Sequence, residues 1–171
     1  PVDAKAIYDD IMINPAIISR ADVIVECFED TVKHNARMIL NIDYDIEAHK
    51  VSIVKSLFAL VILEAVLFKS SFLTSFAFKE NGIYSVVADI ISKIAQDESG
   101  HYAMGITLIN RLRTDPNWAY IFHNISPEVD NLFRTAIEAD YEWIDYLFED
   151  NVRLLGISSA VMKQYVTSNL Y

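Results

Sequence analysis

Glu98-Ser99-Gly100-His101 forms a Glu-x-x-His motif. On an α-helix a step of three residues aligns two side chains on one face, about 5–6 Å apart at their β-carbons. One divalent metal can then take a carboxylate oxygen and an imidazole nitrogen together. Ile91, Ile94, Gly105 and Leu108 recur on the same face at spacings of three and four. A carboxylate on an apolar face is costly unless it is paired or bound to metal. Alone, the motif is a weak signal, because most copies are solvated helix positions.

A second carboxylate strengthens it. Glu64 lies inside Leu57–Phe68, LFALVILEAVLF, in the most apolar helix of the chain. Val61, Glu64, Phe68 and Phe72 fall on one stripe by the same spacing rule. The bland alternative is a buried salt bridge, but no basic residue evidently stands on an apolar face to serve Glu64. Of the four histidines, the other three are weaker candidates. His34 follows Asp30 by four residues on a mixed face and reads as surface. His49 lies in a polar stretch beside Glu47, and His123 ends a short segment. Each reads as structural rather than as a ligand, and no second Glu-x-x-His occurs.

Long helices must position these residues. Asn14-Pro15 is a cap followed by proline at a favourable first position, opening a helix over about 15–40. The polar stretch 41–50 reads as a loop. A long helix follows over about 51–79, stopped at Asn81-Gly82, both tolerant of positive φ. The motif helix spans about 84–113. Asp115-Pro116 opens a short segment ending near Phe122. Ser126-Pro127-Glu128, with a capping hydroxyl, starts a helix to about Asp150. Gly156 and Ser158 separate it from a last helix over about 159–169. With no internal repeat and no linker, residues 1–171 read as one all-α domain, a bundle of long antiparallel helices.

Composition agrees. Hydrophobic residues make up 53% of the 171, with only four glycines and four prolines, too few turn residues for a strand-rich fold. A net charge of −10 repels phosphate backbones, so nucleic-acid binding is not expected. Abundant carboxylates suit cations that take oxygen ligands. The 12-residue run Leu57–Phe68 is short of the ~20 apolar residues of a membrane span and reads as a core helix. Cys27 is the only cysteine, which fits a reducing cytoplasm and excludes an intramolecular disulfide or thiolate cluster. The N-terminus is neither basic nor apolar enough for a signal peptide.

Ferritin-like dinuclear carboxylate proteins draw a Glu from each of two helices and a Glu-x-x-His from each of two others. This chain supplies one of each. In detail it resembles the small, radical-generating subunit of class I ribonucleotide reductase. The resemblance is carried by Leu63-Glu64-Ala65, Phe68, Ser71-Phe72, Ser75–Phe78, Ile94–His101, Trp143–Phe148, Gly156 and Gln164–Val166. Tyr8–Ile11 and Ile18–Ala21 fit as well. It spans nearly the whole chain and implies an incomplete ferritin-like antiparallel bundle, the C-terminal part of that subunit.

The resemblance implies that Glu64, Glu98 and His101 are iron ligands, with Glu98 bridging. It implies that Asp97 orients a histidine ligand and joins the radical-transfer path. Phe68, Phe72 and Ile94 would shield the radical tyrosine. The implied cofactor is a dinuclear iron centre, with manganese possible. The implied partners are the missing N-terminal half, the large catalytic subunit and a second copy in a homodimer. The family's first ligand carboxylate, first Glu-x-x-His helix and radical tyrosine lie upstream of this sequence, and its C-terminal tail lies beyond Tyr171. None of the nine tyrosines follows a Glu-x-x-His at the right distance, and Tyr102 reads as lying on a different face from His101. Lys69 stands where an aromatic is common in relatives. The isolated chain is therefore expected to hold one metal weakly, to make no radical and to associate through its apolar stripes. Alternatives are a non-catalytic helical assembly module and a ferritin-like oxidase or iron store.

Overall fold

A computed structural model of the chain describes residues 3–149 and 156–168. Among the described residues every regular element is helical. These are α1 (Ala4–Ile11), α2 (Pro15–Leu40), α3 (Ile46–Ile62), a π-helical turn (Leu63–Leu67), α4 (Phe68–Glu80), α5 (Ser85–Thr114), α6 (Ala119–Asn124), α7 (Ser126–Leu147) and α8 (Ser159–Thr167). The chain is an all-α ferritin-like helical bundle.

Asn14 caps α2 as its sequence implies, its side chain accepting from the Ala16 amide at 3.0 Å. The supposed loop over 41–50 is shorter than expected. Asp45 caps α3 by accepting from the amides of Glu47 (2.9 Å) and Ala48 (3.1 Å), so the helix starts at Ile46. Asn41 (φ 53°) and Asp43 (φ 44°) make the turn instead. The stop after α4 uses positive φ at Gly82 alone, since Asn81 has φ −98°. Ser126 does not cap α7 but is its first residue. The Ile125 amide bonds back to Ile121 and the Val129 amide to Ile125, so α6 runs almost directly into α7. α7 ends at Leu147. The expected ends at Asp150 and Asn169 lie outside the described residues.

The core gathers the inner faces of α2, α3, α7 and α8 around the π turn. Ile62, Val66, Ala136, Ile144, Met162 and Val166 are completely buried there. A smaller cluster of Val54, Ile121, Ile125 and Val129 joins α3 to α6 and α7. By length and composition the continuous stretch Ile46–Glu80 would suffice to cross a bilayer. Here it is the central helix of the bundle, with α2, α5 and α7 packed around it.

One feature of that helix escaped the sequence. At Leu63–Leu67 it widens to π geometry, the Phe68 amide reaching the Leu63 carbonyl five residues back. Such a turn carries one extra residue. Everything after it is rotated by about 100° from a continuous α-helix. The stripe Val61–Glu64–Phe68–Phe72 is therefore split. Phe72 remains beside Glu64, but Lys69 also lines the cavity at Glu64. Phe68 lines a separate cavity with Ile17, Arg20 and Trp143.

Candidate metal centre

The π turn presents Glu64 towards α5. The Glu64 side chain is 4% exposed, against 19% for Glu98 and 54% for His101. His101 Nδ1 lies 2.6 Å from Glu98 Oε2 and 3.8 Å from Glu64 Oε1. One potential ligand atom from each residue falls within 4.8 Å of the other two. The three carboxylate and imidazole candidates, 37 residues apart at the extremes by their numbering (64 to 101), thus converge on one point between two helices.

Close approach of α3 to α5 makes this possible. Gly105 lies one turn beyond His101 on α5 and is buried against Val61, one turn before Glu64. A β-carbon on Gly105 would stand 3.0 Å from Val61 Cγ2. The absence of a side chain there lets the two helices touch beside the site.

The electrostatics are those of a place short of positive charge. Glu64 is pushed up to about 7, first by burial, then by the charge of Glu98 and a hydrogen bond with it, with His101 opposing. His101 is raised above the usual imidazole value, chiefly by its hydrogen bond to Glu98. Asp97, exposed on α5, adds a smaller pull in the same direction. Glu64 Oε2 is buried with no hydrogen-bond partner. A buried carboxylate oxygen left without a donor is expensive, and a cation would satisfy it. Two carboxylates and an imidazole suit iron or manganese, so these residues fit the metal that the resemblance implies.

A cavity of about 290 Å³ adjoins the cluster, lined among others by Glu64, Lys69, Phe72, Glu98, Tyr102 and Tyr165. Tyr102 sits one turn after Glu98 and lines the same cavity. Lys69 corrects the sequence reading. A basic residue does stand near Glu64, its Nζ buried and without a hydrogen-bond partner, with burial lowering its pKa. It forms no ion pair with Glu64, so the salt-bridge alternative is not what the structure contains. The signal for Lys69 was the π turn, which periodicity does not reveal.

The remaining candidates are placed as follows. Ile94 is 39% exposed one turn before Glu98. Phe68 and Phe72 keep ring contact at 5.7 Å, although they line different cavities. His34 is buried rather than on the surface, because its ring stacks on that of His49, 5.8 Å away. His49 is buried within α3, held by Tyr44 at 3.3 Å and Asn35 at 2.9 Å. His123 lies exposed in α6.

A helical bundle that collects two carboxylates and an imidazole between neighbouring helices has the architecture of the ferritin-like carboxylate proteins. Within that class the chain belongs to the ribonucleotide reductase small chain family, whose model matches residues 1–170. It is 30% identical to ribonucleoside-diphosphate reductase 1 subunit beta of Salmonella typhimurium over 96% of this chain and 47% of that protein. The corresponding Haemophilus influenzae subunit beta is 31% identical over the same shares. The subunit beta of Enterobacteria phage T4 is 26% identical over 86% of this chain and 44% of its own length. The chain thus spans about half the length of the curated relatives it matches.

Proposed function

We propose that the chain is the C-terminal component of a ribonucleoside-diphosphate reductase small subunit and supplies half of its dinuclear metal site. The observation that carries this is the convergence of Glu64, Glu98 and His101 within 4.8 Å in a chain of this family. Glu64 and His101 would hold one ion, and Glu98, between them in burial, would bridge to a second. A further Glu-x-x-His helix would complete the pair, supplied by the rest of a longer chain or by a second polypeptide. The bound centre, of iron or manganese, supplies the oxidising power for a tyrosyl radical used in deoxyribonucleotide synthesis. The chain's own residues do three other things. Burial of Glu64 against α5 keeps water from one side of the site. Phe72, and on the neighbouring face Phe68 and Ile94, present hydrocarbon towards the radical pocket. Asp97 lies on the ligand helix beside Glu98, where it would orient a histidine and lead towards the large catalytic subunit.

The expected setting is cytoplasmic, in a homodimer that docks the large subunit. The exposed apolar residues of α5, Val86, Val87, Ile90 and Met104 among them, favour association over a free monomer. The family match and the assembled cluster favour this reading over a non-catalytic helical module.

The test is electron paramagnetic resonance after adding ferrous iron and O₂. The chain alone should give no tyrosyl signal. A signal should appear when a polypeptide carrying the family's other Glu-x-x-His helix is added, and Glu98→Ala should remove it. A tyrosyl signal from this chain alone would overturn the half-site reading.

A further inference from the structure

The π turn that presents Glu64 is gripped from the side opposite α5. Arg20 of α2 places its Nη2 on the carbonyl of Leu67, the last residue of the turn. The same nitrogen contacts Ser70 Oγ at 2.9 Å and Ser71 Oγ at 3.3 Å. Arg20 Nε donates to Asp140 Oδ1 of α7 at 2.7 Å. Ser70 Oγ lies 2.9 Å from that oxygen and 3.1 Å from the Leu67 carbonyl. The guanidinium also lies 5.6 Å from the centre of the Trp143 ring. The Asp140 side chain is fully buried and that of Arg20 is 17% exposed. Three helices are tied through one fork, and the backbone atom they tie is the end of the only described π segment.

A π turn is a strained insertion in an α-helix and tends to relax unless its surroundings hold it. Glu64 projects from the second residue of this turn, so the phase of the turn sets where its carboxylate goes. The guanidinium fork is suited to hold it, because a rigid planar donor fixes the angle between a carboxylate and a carbonyl bonded at once, whereas the three donors of an ammonium swivel on a flexible stem. We propose that Arg20 and Asp140 are positioning residues for the candidate metal centre: their buried ion pair locks the π turn through the Leu67 carbonyl and so fixes the Glu64 carboxylate against Glu98 and His101. The inference rests on the metal-site reading above.

The test uses the full 171-residue chain and Co(II) as the probe, read by its visible absorption and by titration. Wild type should bind Co(II), and Glu64→Gln should not. Arg20→Lys keeps the charge but loses the fork. Arg20→Met/Asp140→Val replaces the pair with apolar side chains, a change that often leaves stability intact. Both should weaken Co(II) binding about 10- to 100-fold, the usual effect of removing a ligand's support, and should alter the Co(II) band. The double variant should melt within about 4 °C of wild type. Ile121→Val, a core change in the smaller cluster, should lower the melting point without changing affinity.

If Arg20→Met/Asp140→Val binds Co(II) within about twofold of wild type, the lock is refuted while the metal site stands. The same holds if Ile121→Val weakens binding as much as the double variant does. Should the double variant not fold, Arg20→Lys decides on the same criterion. Absence of Co(II) binding by wild type itself overturns the metal reading and the lock with it.

Discussion

The two sides of the π turn treat buried charge in opposite ways. On the α2–α7 side, Asp140 is enclosed but meets a guanidinium and a hydroxyl at 2.7 and 2.9 Å. On the α5 side, Glu64 is nearly as enclosed, yet it faces another carboxylate and a half-exposed imidazole; each acid leaves one buried oxygen without a partner, Asp140 Oδ2 and Glu64 Oε2. Burial pushes both acids up, but only Asp140 has a permanent cation against it. A buried charge paired within the protein belongs to the fold. A buried acid set against a second carboxylate, with no permanent cation in contact, marks a place where something from outside is needed. The difference thus separates a structural acid from a candidate ligand without appeal to motif.

The largest effect should come from breaking the paired side. Arg20→Ala leaves Asp140 buried without its cation, and removing one partner of a buried pair costs about 3–5 kcal/mol. Urea denaturation should show that loss. A cost below about 1 kcal/mol would mean that solvent reaches Asp140, and the contrast would fail.

Next comes the contact that brings α5 to the turn. Alanine at Gly105 gains about 1 kcal/mol of helix propensity. Its β-carbon would press on Val61 at 3.0 Å, and overpacking costs about 1–3 kcal/mol. Gly105→Ala should therefore be neutral to destabilising by up to about 2 kcal/mol and should weaken divalent-metal binding at Glu64. A stabilised variant with unchanged metal affinity would show that helix spacing does not set the site.

The unpaired side should report itself through pH. Folding raises Glu64 from 4.5 to about 7, so the folded chain holds a proton that the unfolded chain has already released. This contribution to stability is fully present below about pH 4.5 and is lost as pH rises through about 7. In chelator, the urea midpoint of wild type should fall between pH 5 and 8, and Glu64→Gln should flatten that dependence. An equal fall in both proteins would place the titration elsewhere.

The smallest stability effect should come from His101. Its side chain is 54% exposed, so His101→Ala should change metal-free stability by no more than about 0.5 kcal/mol. Its metal affinity should nonetheless drop, which isothermal titration with Mn(II) can measure. A large stability loss with unchanged affinity would make His101 structural.

Much of this was written in local chemistry. Asn14-Pro15 and Ser158 start helices where their side chains can accept orphan amides, and Gly82 stops one where the backbone turns left-handed. Glu98 and His101 share a face because three residues are nearly one turn, and that holds in any helix. The apolar run around Glu64 marked a core helix, and its acid marked an exception within that core. Those rules depend only on neighbours in sequence. What they could not reach depends on distant partners. Asp45 was readable as a cap, but the polarity around it obscured the helix start. His34 looked exposed by its helix face, and it is the ring of His49 that covers it. The π turn shows the limit most plainly. Periodicity assumes 3.6 residues per turn throughout, whereas packing of α2, α5 and α7 around Leu63–Leu67 decides whether one turn carries an extra residue. That single residue separates Phe68 from the stripe, brings Lys69 into the cavity and places Arg20 on the Leu67 carbonyl. The types of the chemical groups are local facts of the chain, while the phase at which Glu64 meets His101 is a consequence of three helices closing around one turn.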